Sequence, residues 1–132
     1  MISSFTRTVI NAKDFIKVGE FNDLIFSISK YQTRNPTNLQ GDEVITTPRL
    51  VQQIENSCSS LLEKRLNPQD TSVGYYVEVY HENPGMLGDV LKIHSVVEAV
   101  DKNKVTFRSI VQSLPDMKEI GKAVHIRAAI PR

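Results

Sequence analysis

The stretch Thr46-Thr47-Pro48-Arg49-Leu50-Val51-Gln52-Gln53-Ile54-Glu55-Asn56-Ser57-Cys58-Ser59-Ser60-Leu61-Leu62-Glu63-Lys64-Arg65-Leu66 decides how this chain must fold. Thr46-Thr47-Pro48 is a helix start: a hydroxyl residue to cap the first free N–H groups and a proline where no N–H is needed. Leu50, Val51, Ile54, Cys58, Leu61, Leu62 and Leu66 then recur at helical spacing, an apolar stripe sustained over several turns. Asn67-Pro68 ends it, because the residue before a proline resists the helical conformation. The spacing predicts one long helix with a wide greasy face that something must cover.

The cover is written on both sides of it. Downstream, residues 73–81, 90–100, 104–114 and 118–130 are β-prone. Asn83-Pro84-Gly85, Gly88-Asp89, Asp101-Lys102-Asn103 and Pro115-Asp116 break them at hairpin-like intervals. Upstream, Phe26 and Ile28 alternate with Ser27 and Ser29, the mark of a strand with one buried face. Residues 33–42 read as loop, and residues 1–16 as an N-terminal arm with a short helix near 12–15. The predicted order is strand, loop, long helix, then four strands in an antiparallel meander. A single helix covers one face of a five-strand sheet, so the economical α+β solution wraps the sheet around the helix. The remaining apolar strand surface or edge is left for dimerisation.

Composition narrows the function. At 132 residues the chain is one domain, 1–132, with room for a single core. Sixteen Lys+Arg against fifteen Asp+Glu leave a formal charge of +1, without the basic excess that nucleic-acid or membrane-surface binding calls for. One cysteine, Cys58, excludes an internal disulfide and a Cys-rich zinc site; it has no basic sequence neighbour and reads as inert core. The three histidines lack metal-ligand spacing, so neither a metal nor a cofactor is expected. There is no phosphate-binding glycine loop and no G-x-S-x-G elbow. The absence of a secretory signal or an apolar span makes a cytoplasmic setting the default expectation.

Glu55 is the most informative residue. On a helical wheel it projects between Leu62 and Leu66, inside the stripe, while Arg49, Gln52, Gln53, Asn56, Ser59 and Glu63 lie opposite. A carboxyl buried there is expected to have a raised pKa suited to a general base or acid; the alternative is a stripe-edge glutamate reaching solvent. His81 closes a strand and alternates with Val77 and Val79, as a satisfied core histidine or a catalytic one. His94 belongs to a partly exposed face. His125 shares a small-residue face with Ala123, Arg127 and Ala129 that leaves space for something. Thr47 reads primarily as the helix cap, its hydroxyl and the helix N-terminus making a polar spot. Gly74 permits close backbone approach, or simply starts a strand.

Thr47 at a helix start, Glu55 eight residues later, and Gly74 followed seven residues on by His81 form an ordered set. With the closing run Gly121-Lys122-Ala123-Val124-His125-Ile126-Arg127, this set resembles the fluoroacetyl-CoA thioesterase-like branch of the hot-dog-fold thioesterases over about residues 17–130. The resemblance implies a hot-dog fold and an acyl-CoA thioester hydrolase working at the interface of a homodimer, or of dimers paired as tetramers. It also implies Thr47, Glu55 and His81 as the catalytic set, Gly74 as a backbone contact to the thioester, and Arg127 as a pocket residue. Lys92, Lys122 and Arg127 are candidates to meet coenzyme A phosphates at the pocket rim. The competing expectation is a hot-dog module that binds acyl-CoA without cleaving it.

Overall fold

The computed structural model describes residues 10–132. Seven strands and one α-helix follow in order: β1 (Phe21–Ser27), β2 (Thr33–Arg34), β3 (Val44–Ile45), α1 (Thr47–Arg65), β4 (Asp70–His81), β5 (Val90–Asp101), β6 (Lys104–Leu114) and β7 (Lys118–Pro131). β2 and β3 form a small separate hairpin; the other five strands make one antiparallel sheet in the order β1-β5-β6-β7-β4. The sheet packs around α1, the hot-dog arrangement expected from the sequence.

Each inner face alternates as a half-buried strand should. Leu91, Ile93, Ser95 and Val97 on β5, and Val105, Phe107, Ser109, Val111 and Ser113 on β6, are buried. They meet Leu50, Ile54, Cys58, Leu61 and Leu62 of α1 in two adjoining apolar clusters. Each such large side chain contributes about 1.5–3 kcal/mol through its removal from water. A short chain of hydroxyls crosses the same layer: Ser57 Oγ lies 3.0 Å from Ser95 Oγ, which lies 2.7 Å from Ser109 Oγ. Mutual hydrogen bonds allow these polar groups to be buried. Residues 10–16 are no loose arm: Ile10, Ala12 and Ile16 pack into the core beside a single 3-10 turn, Ala12–Asp14. Residues 1–9 of the expected arm lie outside the described residues.

The expected four-strand meander is corrected. β5, β6 and β7 follow one another, but β4 pairs with β7 at the far edge rather than with β5. The links 102–103 and 115–117 are tight turns, whereas 82–89 is too long for one. That link runs back across the fold, where Glu82 and Asn83 donate to the carbonyl of Ile120, Leu87 to that of Glu43 and Gly88 to that of Ile28. Gly85 presses into the core on the way; a Cβ there would stand 2.8 Å from Ile28 Cδ1.

Candidate active site

Thr47 is not the helix cap. Thr46 takes that role, its hydroxyl accepting from the Arg49 N–H, and Pro48 sits one residue inside the helix. The Thr47 side chain is thereby released, and its Oγ1 lies 2.8 Å from Nδ1 of His81 at the end of β4. Nε2 of His81 is buried and has no hydrogen-bond partner among the described residues. Burial pushes this imidazole below its ordinary pKa, opposed by the backbone of Asn83. It is a neutral ring near pH 7 with one nitrogen engaged and the other vacant.

Glu55 sits two helical turns further on, about 12 Å along the axis at the usual rise. Its side chain is 38% exposed, closer to the stripe-edge glutamate reaching solvent than to the buried carboxyl, the two alternatives the sequence leaves open. The carboxylate lies against β4 at Gly74, where a Cβ would come within 2.9 Å of Oε2. Among the described residues nothing donates a hydrogen bond to it within normal range. His125 Nε2 lies 3.9 Å from its Oε2.

A β-bulge brings Gly74 and His81 to the same side. They are seven residues apart, an odd number, and in an unbroken strand would face opposite ways. The register of β4 against β7 shifts between Gly74 and Tyr76: Gly74 opposes Arg127, Tyr76 opposes Ile126 and Val77 opposes His125. Tyr75 is the extra residue, and it resets the alternation. Asp70, Ser72 and Gly74 face inward before it; Val79 packs on the core after it, and His81 is in phase with Val79.

Beneath Glu55 the space foreseen beside Ala123 and Ala129 is filled by two buried polar side chains. Arg127 donates from Nε to Ser72 Oγ at 2.8 Å and from Nη2 to the Ser72 carbonyl at 3.0 Å. Its Nη1 lies 3.1 Å from His125 Nε2, and His125 Nδ1 lies 2.9 Å from the Tyr76 carbonyl. A carbonyl only accepts and a guanidinium only donates, so Nδ1 carries the ring proton and Nε2 the lone pair. Burial lowers the His125 pKa; the Tyr76 carbonyl opposes this, the Arg127 charge reinforces it, and Glu55 opposes it. Burial also lowers Arg127, with Glu55 and Cys58 opposing, but a guanidinium remains charged. Arg127 is only 8% exposed, a buried residue of this chain rather than an open rim position. Lys122 lies over the Tyr80 ring and 3.9 Å from Glu82.

The structure therefore joins Thr47 to His81, and Glu55 to Gly74, His125 and the neighbourhood of Arg127, as two groups within one chain. Ser72 and the Tyr76 carbonyl carry no sequence signal that would have marked them. His94 pairs with Asp23 on an exposed face. Cys58 is buried and pushed up to about 11, an inert thiol. Among the described residues no three His, Cys, Asp or Glu side chains are grouped as a metal site requires, and no helix is long and apolar enough to cross a membrane.

Comparison with known proteins fits this geometry. Residues 28–132 match the family model described as fluoroacetyl-CoA-specific thioesterase. A hot-dog-like protein from Thermanaerovibrio acidaminovorans shares the fold with a TM-score of 0.81 at 18% identity, over 92% of this chain and 89% of that one. The fluoroacetyl-CoA thioesterase FlK does so with a TM-score of 0.78 at 23% identity, over 88% and 89%. A 1,4-dihydroxy-2-naphthoyl-CoA thioesterase from Synechocystis gives 0.70 at 10% identity, over 85% and 83%. No curated protein matches the chain. With the family model matched over most of its length, the chain belongs to the fluoroacetyl-CoA-specific thioesterase family and is a thioester hydrolase on the hot-dog fold.

Proposed function

We propose that the protein hydrolyses an acyl-CoA to the free acid and coenzyme A without a metal, in a homodimer whose sites each combine Thr47 and His81 of one copy with Glu55 of the other. The observation that carries this reading is the Glu55 carboxylate, without a hydrogen-bond donor among the described residues, lying against the bulged backbone at Gly74. The separation of the Thr47–His81 pair from Glu55 within one chain supports a shared site. So does the sheet edge: β4 presents Val73, Tyr75, Tyr76, Val77 and Tyr80 to solvent, and its outer edge pairs with no other strand among the described residues, the kind of apolar edge that soluble proteins keep covered.

In the proposed reaction Glu55 takes a proton from water, and the water oxygen bonds to the thioester carbonyl carbon. The carbonyl electrons move onto oxygen, where a backbone N–H near Gly74 is the candidate donor; one such donor is typically worth about 3 kcal/mol. Collapse breaks the C–S bond. The proton returns to the departing sulfur through the His81 imidazole, which Thr47 orients. Thiol release measured across acyl-CoA chain lengths tests the reading. Turnover that Glu55→Gln and His81→Ala each abolish supports it. Stabilisation by acyl-CoA with no thiol released by the unaltered protein would leave a binding module instead.

A further inference from the structure

We propose that His125 is a positioning residue for that same reaction: through Nε2 it fixes the Arg127 guanidinium beneath Glu55, while withholding any proton that would tie up the carboxylate. The inference rests on the thioesterase reading. Three of the five N–H donors of Arg127 are spent, two on Ser72 and one on His125. The guanidinium is thus clamped on two sides, and its positive charge stands near Glu55 without an ion pair that would compete for the carboxylate oxygens. His125 is 1% exposed and is held at both nitrogens. Its Nε2 is the ring atom turned toward Glu55, 3.9 Å from Oε2. With the proton on Nδ1, that atom donates nothing to the carboxylate.

The opposite tautomer, or the imidazolium, would reverse this. An Nε2–H would face the Arg127 donor and be drawn to Glu55 as a hydrogen-bond donor, converting a free base into half of an ion pair. The groups that bear on the ring are Glu55 from α1, Arg127 from its own strand and the Tyr76 carbonyl from β4. That carbonyl belongs to the residue directly after the bulge at Tyr75, so the contacts of Gly74 and of the His125 Nδ1 flank the same irregularity in β4.

The test uses 15N-histidine NMR on the full-length protein, with thiol release from acetyl-CoA and the best substrate of an acyl panel. Expected for the unaltered protein at pH 7 is a neutral His125 protonated at Nδ1. His125→Asn keeps a donor for Tyr76 but lacks the distal acceptor, and should lower kcat about tenfold with KM little changed. His125→Gln, which restores a distal acceptor, should recover most of the loss. The double variant with Arg127→Lys should be no worse than the worse single one, because the pair acts as a unit. An Nε2-protonated ring, an unchanged kcat in His125→Asn, or additive losses would overturn the proposal. Absence of turnover in the unaltered protein would overturn the thioesterase reading, and the NMR tautomer would still decide the His125–Arg127 arrangement.

Discussion

Thr47 Oγ1 and His81 Nδ1 lie 2.8 Å apart, joining the first turn of the helix to the last residue of an edge strand. The bond exists because the neighbouring Thr46 caps the helix. Two adjacent threonines thus have separable duties. Thr46→Ala should cost about 1 kcal/mol of stability through the lost cap and leave turnover largely intact. Thr47→Val should leave the melting temperature nearly unchanged and reduce kcat by about 10–100-fold. Thermal unfolding and thiol release on the same preparations separate the two.

At Gly74 the geometry predicts a loss of activity with little loss of stability. A methyl group there would meet the end of the Glu55 side chain, which is flexible and partly exposed, so the carboxylate moves rather than the fold. Gly74→Ala should lower kcat about tenfold or more, given how steeply rate falls with small misplacements. A drop of many degrees in the melting temperature, matching the loss in rate, would argue for a structural role only.

Mixing two inactive variants tests the shared site. Glu55→Gln and His81→Ala homodimers should each be inactive. After unfolding and refolding together, half of the dimers are mixed and one of their two sites has both native residues, so about a quarter of full activity should return. No recovery in a sample shown to contain mixed dimers would place the whole site within one protomer.

The edge of β4 supplies a further check. Tyr76 is exposed in the single chain and, out of phase with Val77, Val79 and His81, points away from the site on the edge that dimerisation is proposed to cover. Tyr76→Lys should give a folded monomer by sedimentation and circular dichroism, with thiol release near background. A monomer that retains full turnover would show that each chain suffices.

The pH dependence of stability has a defined sign. His81 and His125 are both lowered from an ordinary value of 6.5, so the unfolded chain binds protons more readily than the folded one. Their contribution is complete above about 6.5 and is lost as pH falls through the lower folded-state values. Melting temperature should decline in that acidic window, and His125→Asn should flatten the decline. A flat profile in the unaltered protein from pH 7 to 5 would contradict it.

Much of this protein is determined by local pattern. The repeat of apolar residues from Leu50 to Leu66 is enough for one long amphipathic helix, and the β-prone runs after Pro68 are enough for a sheet to cover it. Glu55 stands out because helical geometry places a charge within an apolar stripe. Tertiary structure decided what local periodicity does not carry. β4 pairs with β7 because the 82–89 link crosses the fold, and strand pairing is a non-local choice. One extra residue at Tyr75 reverses the inward phase of the strand, so Gly74 and His81 face α1 together although their odd spacing says otherwise. The proton on His125 follows from a carbonyl on β4, far away in sequence, and a guanidinium two residues along its own strand. Alternation and helical period describe where a side chain points within its own element; which partner meets it there depends on register, and register is settled only when the whole sheet closes on the helix.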